Sequence, residues 1–160
     1  MDRDVHQRAQ HYVASPEGLR RLLQSVCRAN GNAWEFAGRT AHLVSNDMAA
    51  LSSVVDERQM TGVELRQASG LTSSSVTELA DRLERARLIT RARGNHDRRL
   101  VMIKPTAKGQ RTVKRGLGPM HARLSEVRKR HDADELEKLA EFLVEINDAL
   151  TAAGDGAARR

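Results

Sequence analysis

The side chains best suited to chemistry lie in the run TSSSVTELADRLER, which spans positions 72 to 85. Wound as a helix, this run places aliphatic residues on one face and short hydroxyl or charged residues on the other. Short hydroxyls let a helix approach a groove closely, and hydroxyls and guanidiniums bond phosphates and base edges. The alternative interpretation is an ordinary solvated helix surface. The polar residues in question are Ser73, Ser74, Ser75, Thr77, Glu78, Arg82 and Arg85.

The residues before this run predict a shorter helix joined to it by a tight turn. Thr61 and Glu64 have the spacing of a capping box, in which each side chain satisfies an otherwise unpaired amide at a helix start. Gly70 supplies the left-handed residue that ends such a helix, and Thr72 is a good cap for the next one. Two helices joined by about three residues that include a glycine indicate a DNA-binding helix-turn-helix.

The residues that follow predict two strands. The segments LITRAR, from position 88, and RLVMIK, from position 99, are rich in β-formers, and GNHDR between them has turn chemistry. In this two-stranded hairpin, or wing, Asp97 and Arg99 lie on the same side, so that the carboxylate can orient the guanidinium. A pre-oriented arginine at a hairpin tip suits a narrow minor groove. The alternative is that Arg98 and Arg99 belong to a solvated basic turn.

Basic charge is concentrated in the same region. Residues 82–115 contain twelve Arg or Lys and two acidic residues, a balance of +10, whereas the whole chain carries +6. The rest of the chain therefore sums to −4. Such a concentration is the electrostatic signature of a phosphate-binding face.

Four motifs in this order resemble the multiple-antibiotic-resistance regulator (MarR) family of winged-helix repressors. They are SGLTSSSVTELADRLE at 69–84, Leu88-Ile89, Asp97-Arg98-Arg99 and Thr106-Ala-Lys-Gly109, and the close similarity covers residues 43–111. The resemblance implies a homodimer in which the helix after Thr72 enters the major groove and the wing enters the flanking minor groove. It also implies that Asp97 and Arg99 form the wing pair and that Arg98 lies nearer the DNA backbone.

Two positions depart from the pattern of the family. Glu78 stands where many relatives carry arginine. This departure implies that one base or phosphate contact is missing, or that a carboxylate accepting from cytosine N4 replaces it. Pro105 precedes the Thr-x-Lys-Gly element where a leucine is usual, so the junction between the wing and the next helix differs from that of the relatives.

The predicted fold is mainly α with a small two-stranded β wing, that is, a winged helix-turn-helix whose N- and C-terminal helices form a dimerisation region. The last helix carries two apolar stripes, which indicates two packing partners, its own subunit and a symmetry mate. The predicted segments are an N-terminal arm and long dimerisation helix (1–44), a winged helix-turn-helix lobe (45–105), C-terminal dimerisation helices (106–150) and a disordered tail (151–160).

Composition and motifs argue against several other classes of protein. The 160 residues are 39% hydrophobic and 30% charged, which fits one globular domain, and no apolar run approaches the length of a membrane span. The N terminus shows no signal-peptide pattern, so the sequence predicts a cytoplasmic protein. The six histidines lack metal-ligand spacing, and there is no phosphate-binding glycine loop or nucleophile elbow. We therefore expect no metal, no cofactor and no enzymatic activity.

The resemblance also implies a small aromatic or anionic effector, bound between the dimer helices and the winged lobe. Trp34, Arg39 and His42 are the candidate lining residues; alternatively, Trp34 is a core residue and Arg39 is solvated. Cys27 is the single cysteine and has two interpretations, a thiol sensor as in some relatives or a small buried hydrophobe. Sensors of that kind flank the thiol with tyrosines, and Tyr12 is the one tyrosine of this chain.

The function expected from these features is that of a homodimeric repressor that binds double-stranded operator DNA and is released by an effector. We expect phosphate contacts from Arg82, Arg85, Arg91 and Arg93, and base selection from the hydroxyls and Glu78. Three alternatives stay open: a thiol-based redox repressor that uses Cys27, a non-sequence-specific architectural DNA-binding protein, and a winged helix that binds protein partners.

Overall fold

The chain is mainly helical, with one small sheet, in the computed structural model, which describes residues 3–93 and 100–157. The helices are α1 (Arg3–Val13), α2 (Pro16–Ala41), α3 (Ser45–Asp56), α4 (Gly62–Ser69), α5 (Ser73–Arg85), α6 (Ala107–Arg128) and α7 (Ala133–Ala157). The strands are β1 (Met60–Thr61), β2 (Ile89–Arg93) and β3 (Val101–Pro105). A helix-turn-helix followed by a β hairpin confirms the predicted winged helix-turn-helix.

The wing sheet has three strands where the sequence predicts two. β1 pairs antiparallel with β3, which pairs antiparallel with β2 on its other side, so the strand order is β1-β3-β2. Arg93, the last residue of β2, lies opposite Val101, the first residue of β3, and Met60 lies opposite Ile103. A strand of two residues has no periodicity that a sequence pattern can reveal, which explains why β1 was not predicted.

Hydrogen bonds at the ends of α4 and α5 confirm the predicted caps. The Thr61 amide donates to Glu64 Oε2 at 2.6 Å, and the Glu64 amide donates to Thr61 Oγ1 at 3.2 Å. Gly70 ends α4 with a φ of 65°, a left-handed conformation that costs glycine little. Thr72 Oγ1 accepts from the amide of Ser75 at the start of α5. Local side chains therefore define where the two helices begin and end.

The core of the winged lobe is aliphatic and is centred on α3. Met48, Leu51 and Val54 of α3 are fully buried, as are Leu65 of α4 and Leu83 of α5. Helix α3 contacts α2, α4, α5 and β3. Burying a leucine side chain contributes roughly 1.5–3 kcal/mol. This core fixes α5 by its aliphatic face and leaves the polar face outward.

The start of α6 packs closely on the turn between α5 and β2. The Thr106 hydroxyl donates to the Leu88 carbonyl at 3.1 Å and accepts from the Gly109 amide at 3.0 Å. Lys108 Nζ donates to the Ala86 carbonyl at 2.8 Å. A Cβ atom at position 109 would collide with the Leu88 carbonyl oxygen, so this approach of backbone to backbone requires glycine.

Both ends of the chain are more helical than predicted. The segment before Ser15, predicted as an N-terminal arm that is either loosely ordered or a short dimer contact, is helix α1, and Ser15 caps α2 by accepting from the Gly18 amide at 3.1 Å. Helix α7 continues to Ala157, into the segment 151–160 that the sequence predicts to be disordered. Alanine has the highest helix propensity of any residue, so Ala152 and Ala153 favour continuation of the helix, whereas Gly154 and Gly156 oppose it.

Two compact units make up the chain, Asp2–Met120 and His121–Arg160. The first contains the winged lobe and its core. In the second, several large apolar side chains of α7 are exposed, among them Leu139, Phe142 and Leu143. Within the described residues, the helices are too short or too polar to cross a membrane.

Candidate nucleic-acid interface

Helix α5 separates its aliphatic and polar residues as the spacing predicts. Its buried residues are Val76, Leu79, Ala80 and Leu83. Ser75 is half-buried, and the exposed residues are Ser73, Ser74, Thr77, Glu78, Arg82 and Arg85. The candidate DNA-contacting side chains of this helix therefore share one surface.

Hydrogen bonds organise the hydroxyl groups at the start of α5. The Thr72 hydroxyl lies 3.1 Å from Ser74 Oγ and donates to Ser75 Oγ at 2.9 Å. The Thr77 hydroxyl donates its proton to the Ser73 carbonyl at 3.0 Å. It can therefore only accept a hydrogen bond from a ligand. Ser73 and Ser74 are exposed at the N-terminal end of the helix, where the helix dipole attracts phosphate.

Arg82 forms a bidentate ion pair with a buried carboxylate of α3. Its Nε and Nη2 lie 3.0 and 2.7 Å from the two oxygens of Asp47. The Asp47 side chain is 6% exposed and that of Arg82 is 45% exposed. The hydrogen bonds that Arg82 donates to Asp47 raise the pKa of Arg82, because they favour its charged form. Arg82 therefore joins α5 to α3, where the sequence predicts a phosphate contact.

Arg91 forms a second connection, between β2 and α5. Its Nη1 lies 2.6 Å from Asp81 Oδ1 and 3.3 Å from Glu84 Oε2. Its backbone amide donates to Glu84 Oε1 at 3.1 Å. The Arg91 side chain is 27% exposed, so this second predicted phosphate contact is also engaged within the lobe. Physically, a guanidinium beside two carboxylates is already neutralised and has less charge to offer a phosphate.

The other two predicted phosphate contacts, Arg85 and Arg93, are exposed. Arg85 Nε donates to the Asp81 carbonyl at 3.3 Å, which directs the side chain along the helix surface. Arg93 is the last residue of β2. The wing residues Asp97, Arg98 and Arg99 lie outside the described residues.

Helices α4 and α5 and the wing line one open groove of about 450 Å³. Ser73 and Thr77 border it from α5, Arg66 from α4, and Leu100 and Val101 from the wing. The helix-turn-helix and the wing therefore present one continuous face. Among residues 3–93 and 100–157, no cluster of His, Cys, Asp and Glu side chains has the arrangement of a metal site.

The candidate effector residues have separate surroundings. Trp34 is partly buried and packs against the core, as its interpretation as a core residue predicts. Arg39 is exposed, with Nη1 3.7 Å from Glu35 Oε2. His42 ends α2 in a left-handed conformation with a φ of 57°, and its amide donates to the Arg39 carbonyl at 3.2 Å. Cys27 is exposed on α2, so its interpretation as a small buried hydrophobe is wrong for the single chain.

A model of the MarR family matches residues 44–101. This segment is a MarR-family domain. It contains α3, the helix-turn-helix and β2, and it ends at the first residue of β3. Asp47, Arg82 and Arg91 all belong to the MarR-family domain, so both ion-pair connections to α5 are internal to it.

Three known proteins show the extent of the similarity. The uncharacterized HTH-type transcriptional regulator YcgE of Bacillus subtilis (strain 168) is 28% identical over 116 residues, which are 72% of this chain and 75% of YcgE. The transcriptional regulator BldR from Sulfolobus solfataricus has a TM-score of 0.61 at 22% identity, over 95% of this chain and 99% of BldR. A cysteine-to-serine mutant of MarR from E. coli, complexed with operator DNA, has a TM-score of 0.60 at 23% identity, over 80% of this chain and 92% of that one. The two solved structures share the winged-helix fold of this chain.

Asp47 is the residue that sequence reasoning missed. It lies in the first turn of α3, where acidic residues are common because they complement the helix dipole. Its partner Arg82 is 35 residues away, so no local pattern joins the two. One signal could have indicated the ion pair. Asp47 stands beside the buried Met48 of α3, and a buried acidic residue usually has a charged partner.

Proposed function

We propose that this protein is a homodimeric transcriptional repressor that binds a near-palindromic operator and is released by a small-molecule effector. The observation that carries the proposal is the exposed hydroxyl and charged face of α5 on a helix whose orientation is fixed by Asp47 and Arg91. A helix held in one orientation presents its side chains to the major groove at fixed spacing. Ser73, Ser74 and Thr77 are then placed to contact base edges and phosphates.

Phosphate contacts come from the exposed basic residues of the same face. Arg85 and Arg93 are the arginines of the lobe that we assign to this role, together with the wing arginines Arg98 and Arg99. If Arg85 contacts a phosphate, Arg85→Gln lowers the salt slope of operator binding by about one. Arg82→Gln is the matched comparison, because Arg82 pairs with Asp47 and its loss should weaken binding with a smaller change in salt slope.

The apolar face that α7 exposes supports a homodimer. Leu139, Phe142 and Leu143 are between 42% and 52% exposed, which is unusual for large apolar side chains at helical spacing. A second copy of the chain covers such a face with the same residues, since a two-fold interface is isologous. Two lobes related by a two-fold axis read an inverted repeat, with half-sites about one helical turn apart.

The experiment that tests this function is selection of bound sequences from a random duplex pool at near-physiological salt. The expected result is an inverted repeat with half-sites about 10 base pairs apart, centre to centre. A pool without any enriched sequence would favour the architectural DNA-binding alternative. Retention of an unrelated protein partner without DNA affinity would favour the protein-binding alternative.

The wing assignment is tested with Arg99→Ala. Because a minor-groove arginine contributes both charge and position, this change should weaken operator binding at least tenfold while the dimer stays intact. Arg58→Ala is a matched control, since it removes an exposed arginine of the lobe outside α5 and the hairpin. Equal operator affinity for the wild type and Arg99→Ala would refute the assignment.

We assign release to an aromatic or anionic effector that binds near Trp34, Arg39 and His42. An effector acts by favouring a spacing of the two lobes that no longer fits successive grooves. The indole of Trp34 is the reporter, since it is the one tryptophan of the chain. Ligands that release DNA should change its fluorescence, and release without any change would remove this site.

Exposure of Cys27 favours one second function, a thiol-based redox repressor. An exposed thiol is accessible to peroxide, whereas a buried one is inert. The test compares DNA release by the wild type and by Cys27→Ser after oxidant is added. Release that is lost in Cys27→Ser supports a sensor, and identical release by both proteins dismisses it.

A further inference from the structure

The charged side chains of α5 fall into two groups. Arg82 pairs with Asp47, and both Asp81 and Glu84 pair with Arg91. Glu78, in contrast, is exposed and forms no hydrogen bond or ion pair with any other residue in the described parts of the chain. Its negative charge helps to raise the pKa of Arg82, although Asp47 has the larger effect. Glu78 is thus an acidic group of α5 that the lobe leaves available.

The position of Glu78 places it among the residues that face DNA. It lies one helical turn after Ser74 and next to Thr77, on the exposed side of the helix. The ion pairs on either flank of α5 limit rotation of the helix, so that Glu78 stays on this face. A carboxylate here is repelled by phosphates, so its contribution to affinity is unfavourable unless it meets a hydrogen-bond donor.

The donors available in the major groove are few. An ionised carboxylate only accepts hydrogen bonds. In the major groove, donors are the exocyclic amino groups of cytosine (N4) and adenine (N6), whereas guanine and thymine present acceptors at the corresponding positions. Adenine also places the N7 acceptor beside its amino group, where it repels a carboxylate. On the corresponding side cytosine carries a C5–H group and no acceptor, and it is therefore the favoured base.

We propose that Glu78 is a specificity-determining residue that requires cytosine at one position of each half-site. This inference rests on the proposed function, because it assumes that α5 enters the major groove. Glu78 rejects other bases mainly through the cost of a carboxylate without a donor, and this cost is also imposed on non-specific DNA. The same residue therefore raises base discrimination and lowers non-specific affinity.

The test repeats the duplex selection with the wild type, Glu78→Ala and Glu78→Gln. The wild type should enrich cytosine about tenfold over other bases at one position of each half-site. Glu78→Ala should lose the preference at that position alone, and Glu78→Gln should shift it towards adenine, whose N6 and N7 an amide contacts together. Both variants should bind non-specific duplex several-fold more tightly than the wild type at low salt.

Controls separate this inference from the proposed function. Glu57→Gln removes an exposed acidic residue outside α5 and should leave every base preference unchanged. Circular dichroism confirms folding, and the isosteric Glu78→Gln keeps the test valid if Glu78→Ala is unstable. If both variants still select an inverted repeat with the same cytosine preference, the proposed role of Glu78 is overturned, whereas the proposed operator binding is not. A wild-type pool without any motif would overturn both.

Discussion

Helices α5 and α7 carry leucines at the same spacing, but those of α5 are buried and those of α7 are exposed. Leu79 and Leu83 of α5 are 1% and 0% exposed, whereas Leu139 and Leu143 of α7 are 52% and 49% exposed. The first pair is covered by the core of its own chain. The second pair belongs to an apolar face that is exposed at the surface of its unit. Helical periodicity therefore predicts that a face exists, but tertiary packing decides what covers it.

The largest expected effect concerns the core that covers the leucines of α5. Leu65→Ala, in the same core as Leu83, should lower the free energy of unfolding by about 2–5 kcal/mol, because it leaves a cavity as well as removing buried area. Urea denaturation followed by circular dichroism measures the change. A loss below about 1 kcal/mol would mean that the core collapses around the site.

The second prediction concerns the exposed face of α7. Phe142→Ala should raise the dissociation constant of the dimer about 30-fold, since large aromatic residues are frequent interface hot spots. Sedimentation over a range of concentrations measures the constant. Glu137→Ala, an exposed residue of the same helix, should leave it unchanged. Equal dissociation constants for Phe142→Ala and the wild type would place the interface elsewhere.

The third prediction concerns the ion pair that fixes α5. Asp47→Asn replaces a buried charged acceptor by a neutral one and should lower the free energy of unfolding by about 1–3 kcal/mol. The loss is smaller than for a fully buried pair, because solvent reaches Arg82. Operator affinity should fall as well, since α5 loses one of the two ion-pair connections that orient it. Asp134→Asn, which disrupts the exposed pair with Lys138, should change neither quantity measurably.

The smallest effect is the acid titration of Glu17. The bidentate hydrogen bonds from Arg20, at 2.6 and 3.0 Å, lower the pKa of Glu17 from 4.5 to about 2. Because the folded pKa is depressed, the stabilisation is complete above pH 4.5 and is lost as the pH falls towards 2. The pair is exposed, so the effect on stability is slight.

An NMR titration of the Glu17 carboxyl measures this shift directly. The midpoint should move up towards 4.5 in Arg20→Gln. Arg21→Gln should have a weaker effect, because the Arg21 contact is longer, at 3.3 Å. A wild-type midpoint already near 4.5 would show that the Arg20 contact is not populated in solution.

Local signals in the sequence were sufficient for the helix-turn-helix. The capping box of Thr61 and Glu64, the glycine at 70 and the cap at Thr72 each act within four residues, and each is present in the structure. The aliphatic face of α5 also follows from spacing alone. Such features are predictable because the interactions that create them are short in sequence.

Long-range contacts explain what the sequence did not indicate. The two-residue strand β1 exists because β3 pairs with it, and its residues alone carry no strand pattern. Arg82 and Arg91 have the composition of phosphate ligands, and only the fold shows that Asp47, Asp81 and Glu84 neutralise them. Charge counted along a sequence therefore overestimates the charge that a lobe offers to DNA.

The close contact at Gly109 joins the start of α6 rigidly to the segment between α5 and β2. The backbone of α6 at Gly109 packs directly on the Leu88 carbonyl, and Lys108 donates a hydrogen bond to the Ala86 carbonyl. The start of α6 is therefore packed tightly against the residues that follow α5. We therefore expect a shift of the first turn of α6 to displace the segment that ends α5 as well. Any larger side chain at position 109 would force the start of α6 away from the Leu88 carbonyl.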